Sequence, residues 1–506
     1  MQVASCHRQS VGETTMHNNP RTGAPWRVLI IGSGFAGLGL AMQLRRAGED
    51  DFLILEKAAD VGGTWRDNHY PGAACDVPSH LYSFSFEPKH DWSRKFAPQA
   101  EIHAYIRQCV DNHRLRPHIR LNAEVRGAEF DAERGLWRVE LVGGEHLEAQ
   151  ALVSACGQLN RPAYPALPGL ENFRGEAFHS ARWRHDLDLS GKRVAVIGTG
   201  ASAIQFVPQI QPKVAQLSLF QRSAAYVLAK PDRAYRAWEI ALMRRVPLLQ
   251  RADRLLKYLH HEVRALAFIS MPWVMRLMRG SFTRHLARQM PDAAKRARLQ
   301  PDYPMGCKRI LISNDYFPAL AQANVDIVDS AISEVREHSL VTADGREHPC
   351  DVLIYGTGFT ASDFLAPMRI RGLGGLELNQ AWKEGAEAYK GISVSGFPNL
   401  FLLYGPNTNL GHSSILYMLE SQYRYVLGCL RTLREQQLRY LDLRMDVQRR
   451  YNQRLQHATR RTIWAQGCSS WYQNASGKHT NNWPGYTFTY RHLTRTPELA
   501  DYDRVR

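Results

Sequence analysis

Arg27-Val-Leu-Ile-Ile-Gly-Ser-Gly-Phe-Ala-Gly37 and Arg193-Val-Ala-Val-Ile-Gly-Thr-Gly-Ala-Ser-Ala203 share one grammar. Each opens with a short β-branched run, the mark of a buried parallel strand, and turns through glycines into a helical pattern. The fingerprint is Gly32, Gly34 and Gly37 in the first segment and Gly198, Gly200 and Ala203 in the second. The first glycine makes a tight turn, and the second lets backbone approach a pyrophosphate. The third position must be small for helix–strand packing, and the helix N-terminus attracts the phosphate charge. One such motif would be a weak signal. Here both precede helical patterns, Leu38–Ala47 and Ile204–Ile210, and both reach a second strand, Phe52–Leu55 and Leu217–Gln221. That context makes the signal strong.

The residues closing those second strands differ. Glu56 and Arg222 each stand 24 positions after the first glycine of their motif. A carboxylate accepts a hydrogen bond from a ribose 2′-hydroxyl and repels a 2′-phosphate, whereas an arginine matches a 2′-phosphate in charge and geometry. The first site is therefore expected to hold FAD or NAD, and the second NADP. Two dinucleotide sites in one chain suggest electron transfer between a nicotinamide and a flavin.

The expected fold is α/β, with two Rossmann-like dinucleotide-binding domains and a helical insertion. Residues 1–25 read as a loose, flexible tail and 26–165 as the N-terminal part of the FAD-binding domain. Residues 166–350 read as the NADP-binding domain, interrupted by helices over 233–300. Residues 351–506 return to the FAD-binding domain and end in a C-terminal segment. The runs Ser154-Ala-Cys-Gly157 and Gly356-Thr-Gly-Phe359 read as crossings between the two domains.

At 506 residues, 44% hydrophobic and 22% charged, the chain can bury a large core, and its 10% aromatic content excludes bulk disorder. No apolar run is long enough to span a membrane; Ala265–Met278 contains Pro272 and Arg276. The polar N-terminus has no apolar signal region, so a cytoplasmic protein with reduced thiols is expected. The eight cysteines form no C-x-x-C pair, which removes a redox dithiol and a zinc ribbon. His260-His261 are adjacent, so both cannot face one ion from a helix, and no metal site is expected.

The net charge is +16, and Lys230–Arg309 alone holds 18 basic against 6 acidic residues. Without a zinc-finger or RNA-recognition signature, nucleic acid is not the expected partner. Leu248, Leu249, Leu255, Leu256 and Leu259 lie among arginines in an amphipathic pattern that would suit weak membrane-surface contact through the insert, although peripheral membrane association itself does not follow from the sequence. Oligomeric state and substrate identity do not follow from these patterns.

Four further segments carry a resemblance. Phe173-Arg-Gly-Glu-Ala-Phe-His-Ser-Ala-Arg-Trp183 fits F-x-G-x-x-x-H-x-x-x-W, through Phe173, Gly175, His179 and Trp183. Gly62-Gly-Thr-Trp-Arg-Asp-Asn-His-Tyr-Pro-Gly-Ala-Ala-Cys-Asp76 is the second, Lys308-Arg309 ahead of Asp315-Tyr-Phe the third, and Gly405-Pro-Asn-Thr-Asn-Leu-Gly-His-Ser-Ser414 the fourth. In this order they resemble the flavin-dependent monooxygenases, and more narrowly the type I (class B) Baeyer–Villiger monooxygenases. That family continues its fingerprint with Pro or Asp, where this chain has Arg184.

The resemblance implies FAD and NADPH as cofactors and a small-molecule ketone and O2 as reactants. NADPH reduces the flavin, which reacts with O2 to give a C4a-peroxyflavin; one oxygen is inserted beside the carbonyl, giving an ester or lactone. Arg309 matches the catalytic arginine and Asp76 the carboxylate that orients it; a fixed guanidinium would stabilise both the peroxide and the oxyanion. Gly32, Gly34, Phe35, Gly37, Glu56, Thr64, Trp65, Asp76, Tyr82 and Ile415 would surround FAD. Gly198, Thr199, Gly200, Ala201, Ser202, Ala203, Gln205, Arg222, Ser223, Lys308 and Arg309 would hold NADP. The helix beginning at Ile415 would aim its positive end at the flavin. His179 and Trp183 would couple domain rotation to cofactor position.

Three alternatives stand beside this reading. One is a related oxygenase of nitrogen or sulfur, against which Trp183, Asp76 and Arg309 argue. A second is a disulfide reductase, which lacks its cysteine pair here. The third is an inactive flavin-binding or membrane-surface module.

Overall fold

In a computed structural model of the chain, the described residues are 23–271, 273–465, 467, 472–474 and 476–506. Positions 1–22 of the expected tail lie outside them. The first motif forms strand β1 (Trp26–Ile31) and helix α1 (Phe35–Arg46), followed by β2 (Phe52–Leu55), which runs parallel to β1. Val28, Leu29 and Ile30 are fully buried. Burying each such side chain contributes about 1.5–3 kcal/mol, and only a strand covered on both faces can use a continuous apolar run.

Gly32 has φ +108°, and a Cβ there would lie 2.7 Å from the Ala155 carbonyl oxygen; a Cβ on Gly37 would lie 2.0 Å from the Gly32 oxygen. The turn therefore admits no larger residue at either place. Two short helices cover the site side of this half, α2 (Thr64–Asp67) and α3 (Gln99–Asn112).

β3 (Ile119–Arg120), β4 (Val125–Asp131), β5 (Leu136–Leu141) and β6 (His146–Ser154) complete the N-terminal share of the first sheet. Its order is Arg369–Arg371, β4, β5, β6, β1, β2, β3, with Leu400–Leu402 also paired to β6. Two of its strands thus come from beyond residue 366, the chain having left for the second sheet and returned.

The second sheet is wholly parallel. Its strands are β7 (Glu176–His179), β8 (Arg193–Ile197) and β9 (Gln216–Phe220), with Val325–Val328 and Val352–Tyr355. Val325–Val328 lies beside β9, then β8, Val352–Tyr355 and β7. Helix α4 (Ala203–Ile210) follows β8 through the second glycine turn. Between β9 and Val325 the chain makes α5 (Ala237–Arg245), α6 (Pro247–Ile269) and α7 (Trp273–Gln289). No helix among the described residues is long and apolar enough to cross a membrane.

Cys307 is disulfide-bonded, which corrects the expectation of reduced thiols throughout; Cys75, Cys109, Cys156, Cys350 and Cys429 are free.

Asp442 gives a stability prediction. Burial, with the like charge of Asp503 opposite it in the pairing of Tyr440–Leu443 with Tyr502–Val505, pushes its carboxyl up to about 7. Its Oδ1 accepts a hydrogen bond from the Gly396 amide at 2.9 Å. A carboxyl whose folded pKa is raised supports the fold fully below its unfolded pKa, and that support is lost as pH rises through about 7. Asp442→Asn keeps the acceptor and cannot ionise. Its melting temperature should match the parent at acidic pH and exceed it at alkaline pH; an equal difference at both would count against this assignment.

Candidate active site

The first nucleotide turn is tied together by Glu56. Its carboxylate is 4% exposed and accepts from the Ser33 amide at 3.0 Å, the Ser33 hydroxyl at 2.7 Å and the Ala58 amide at 3.0 Å. Arg66 lies 3.1 Å away and balances the charge. Gly62 donates to the Ser33 carbonyl at 3.0 Å, so the Gly62-Gly63 turn closes over the first. A Cβ on Gly34 would meet only the Gly63 Cα, at 3.8 Å. The second glycine thus leaves a face on which backbone can approach a pyrophosphate, as FAD needs.

Thr64 is exposed at the start of α2. Trp65 Nε1 donates to the Tyr82 hydroxyl at 3.1 Å, and Phe35 packs edge-on against Tyr82. Ile415 opens the 21-residue helix Ile415–Glu435, whose Ser414 cap accepts from the Leu416 amide. These residues gather on one side of the first sheet.

In the second half, Gly198 has φ +107° with the Gly356 oxygen 2.4 Å from where its Cβ would be, so the turn again excludes a side chain. Ala203 packs against Gly356, whose own Cβ would come within 3.3 Å of it. A Cβ on Gly200 would meet only the Gly356 oxygen, at 3.9 Å, and the turn Thr199–Ser202 leaves that approach open. Thr199 Oγ1 donates to the Ser223 carbonyl at 3.2 Å, and Ser223 Oγ accepts from Lys308 Nζ at 3.0 Å. Arg222 is exposed and has no carboxylate partner among the described residues. Burial, and then the positive charge of Arg222, hold the Lys308 ammonium below its usual range. Two like charges held together, which the nearby Asp302 carboxylate offsets only in part, fit a phosphate dianion.

Gln205 ties the second turn to the first half of the chain. Its Oε1 accepts from the Tyr70 hydroxyl at 2.9 Å and the Ala74 amide at 3.3 Å, and its Nε2 donates to the Ala74 carbonyl at 3.0 Å. The side chain thus bridges α4 to the segment that carries Asp76.

That segment ends at the ion pair. Arg309 donates from Nε to Asp76 Oδ2 at 3.1 Å and from a terminal nitrogen to the same oxygen. Both side chains keep about a third of their surface, 34% and 31%, so the pair is open to a reactant. The Asp76 charge raises the Arg309 pKa above its ordinary value. Burial pushes the Asp76 carboxyl up, but Arg309 overrides it, and the carboxyl stays below the usual range. The guanidinium is cationic at every working pH.

Three neighbours escaped sequence reasoning. Lys230, largely buried, adds positive charge at Asp76. Tyr404 and Tyr472 interact electrostatically with Arg309. Burial keeps both phenols neutral, pushing Tyr472 up to about 12. Only the position of Tyr404, just before the Gly405 loop, could have signalled it. A cavity of about 410 Å³ is lined by Tyr70, Ala74, Phe96, Gln99, Lys230 and Asp315, and neither Asp76 nor Arg309 lines it.

The fingerprint residues lie behind this site. His179 is fully buried; one ring nitrogen bonds the Gly358 carbonyl at 2.9 Å and the other accepts from the Ala181 amide at 3.1 Å. Trp183 packs on Phe178 and on Phe206 of α4. Phe173 packs with the cluster around Leu353 and Tyr355, and a Cβ on Gly175 would lie 2.4 Å from the Asp351 oxygen. Arg184 points to solvent and pairs with Asp186 at 2.7 Å and Glu176 at 3.4 Å, away from the Trp183 contacts. Among the described residues no cluster of His, Cys, Asp and Glu could hold a metal.

Comparison with known proteins agrees with this geometry. The family described as "Flavin-binding monooxygenase-like" matches residues 25–368. A Baeyer-Villiger monooxygenase of Pseudomonas aeruginosa is 48% identical over 501 residues, covering 99% of this chain and 95% of its own. One from Streptomyces coelicolor is 48% identical over 482 residues, covering 95% and 93%. Among solved structures, an oxidized steroid monooxygenase bound to NADP superposes with a TM-score of 0.86 at 28% identity, over 95% of this chain and all of that one. Cyclohexanone monooxygenase from Rhodococcus sp. Phi1 bound to NADP+ gives 0.84 at 26% identity, over 95% and 100%. The chain belongs to the flavin-binding monooxygenase-like family and, within it, to the Baeyer–Villiger monooxygenases.

Proposed function

We propose that this FAD- and NADPH-dependent Baeyer–Villiger monooxygenase uses Arg309, held by Asp76, to convert a small-molecule ketone into an ester or lactone. The observation that carries the reading is the Arg309–Asp76 ion pair, which joins the two nucleotide-binding halves across 233 residues and remains partly open. When bound, FAD would take electrons from NADPH and activate O2, and O2 is the source of the inserted oxygen. Glu56 and the Gly32–Gly37 turn would hold the FAD ribose and pyrophosphate, while Trp65, Tyr82 and the Ile415 helix would flank its ring system. Arg222, Ser223 and Lys308 would hold the NADP 2′-phosphate.

Arg309 gives a permanent cation where negative charge gathers on oxygen during attack at the carbonyl. Donors fixed at such a place are typically worth about 10²–10³ in rate. Asp76 fixes the direction of the guanidinium and leaves its remaining terminal nitrogen to the reactants. Tyr404 donates from its hydroxyl to Asn409 Oδ1 at 2.6 Å and fixes the Gly405 loop beside them. The helical insert adds a face for weak membrane-surface contact.

The test is product analysis. FAD-loaded enzyme with NADPH and O2 is offered linear, cyclic and aryl ketones and thioethers. Esters or lactones one oxygen heavier than a ketone are expected by mass spectrometry. Sulfoxides or N-oxides alone would move the chain to the related oxygenases of sulfur and nitrogen.

A further inference from the structure

Helices α5 to α7 turn an unusual surface outward. Of seventeen exposed large apolar side chains among the described residues, twelve fall between Trp238 and Leu277. On α6, Leu248, Leu255, Leu256, Leu259 and Val263 recur at helical spacing and form one stripe, with Leu256 68% exposed. Arg251 and Arg264 are exposed on either side of it. Singly exposed apolar residues need no explanation, but a contiguous set marks an interaction surface.

The charge on this surface has one sign. Eight arginines from Arg244 to Arg288 are exposed, and none pairs with a carboxylate among the described residues. The three acidic residues of α5 to α7 are committed elsewhere. Glu239 pairs with Arg233 at 2.6 Å, Asp253 with His80 at 2.6 Å, and Glu262, buried, accepts from Thr487 Oγ1 at 2.6 Å. The opposite face of α6 is fixed to the body of the enzyme. Arg254 donates to the His80 and Ser83 carbonyls at 2.6 and 2.8 Å, Tyr258 stacks on Tyr417, and His261 bonds the His412 carbonyl at 2.7 Å. The apolar stripe is thus held outward by contacts on its polar side.

From this we infer that the outer face of α5 to α7 docks on an anionic phospholipid surface, with the α6 stripe at the acyl boundary and the arginines among the headgroups. The inference rests on the membrane-contact reading above and adds the face and the lipid chemistry. A second copy of the chain would set two positive faces against each other. A nucleic acid would satisfy the arginines and leave the leucines in water. An anionic bilayer satisfies both sets. Each arginine near such a surface strengthens partitioning by a factor of about five at low salt, and added salt screens it. Because α6 is bonded to the His80–Ser83 segment and to the Gly405–Ser414 loop, docking would set the lipid surface one helix away from segments that flank the site.

The test is co-sedimentation of full-length, FAD-loaded protein with vesicles of phosphatidylglycerol and phosphatidylcholine, or of phosphatidylcholine alone. Binding is expected to the first and not the second, and to fall at least about tenfold at high salt. It should fall as far in the triple variant Leu255→Ser, Leu256→Ser, Leu259→Ser and in Arg244→Glu, Arg245→Glu, Arg251→Glu. Retained NADPH oxidation in both variants shows that they fold. Equal binding to both vesicles, unchanged binding in either folded variant, or a leucine-dependent dimer that ignores vesicles would overturn the inference. Partitioning is read without turnover, so failure to oxygenate ketones would sink the functional reading and leave this one standing, and the reverse holds as well.

Discussion

Arg309→Ala is expected to lose ester formation by about two to three orders of magnitude while NADPH oxidation continues. The guanidinium is the group that Asp76 locks in place, and the Asp76 charge raises its proton affinity further. Removing it takes the fixed positive charge from the oxygen atoms and leaves the Asp76 carboxylate without its partner. Nothing in the Gly32 or Gly198 turns depends on Arg309, so both nucleotides should still bind. Reducing equivalents would then drain to hydrogen peroxide, which a coupled peroxidase assay measures beside the ester yield. Arg309→Lys keeps the charge but loses the fork that holds Asp76 through two nitrogens, so it should recover only part of the activity. If Arg309→Ala formed ester at the parental rate, the catalytic assignment would fall. If it lost flavin reduction and oxygenation together, Arg309 would be a nicotinamide-binding residue instead.

The second large effect is on cofactor choice. The double variant Arg222→Ala, Lys308→Ala should raise the KM for NADPH about a hundredfold or more, since charge-assisted hydrogen bonds are typically worth about 1.5–3 kcal/mol each. The KM for NADH, which lacks the 2′-phosphate, should barely move. The pairing of Lys308 with Ser223 Oγ, with Arg222 beside it, makes the two cations one unit. Each single variant should therefore cost most of the discrimination. The sign of the proton linkage is also fixed. Burial and Arg222 depress the Lys308 pKa, and a bound phosphate would raise it, so NADPH binding should take up protons at alkaline pH. Parallel loss of NADH and NADPH affinity would show that the pair supports the turn and not the phosphate.

The two nucleotide turns were legible in the sequence because everything they need is local. A buried strand needs an apolar run, a turn at φ near +108° needs glycine, and helix–strand contact needs a small third residue. All of these lie within eleven consecutive positions. Glu56 and Arg222 were legible for the same reason, one strand further on. The Arg309–Asp76 pair was not local, and no periodicity joins positions 233 residues apart; it was reached through resemblance. The bridge from the Gln205 side chain to Tyr70 and Ala74 was not legible either, because that segment meets α4 only in the fold. Lys230, Tyr404 and Tyr472 stand in no motif and reach the Arg309–Asp76 pair only because three distant segments converge.

The insert divides the two kinds of knowledge most sharply. The sequence by itself determined that α6 is amphipathic, since leucines and arginines alternate at helical spacing. It could not determine which side faces the protein, and the usual expectation puts the apolar side inward. Tertiary structure decided the opposite. The polar Gln250, His261 and Glu262 are buried against the body of the enzyme beside Ala265, Ala267 and Phe268, and the leucines of the stripe are left in solvent. The physical reason is that those polar groups find partners of fixed geometry in His412, Thr487 and the carbonyl of Lys89. A polar group with such a partner can be buried, whereas the leucines needed only some apolar surface, which this fold does not provide.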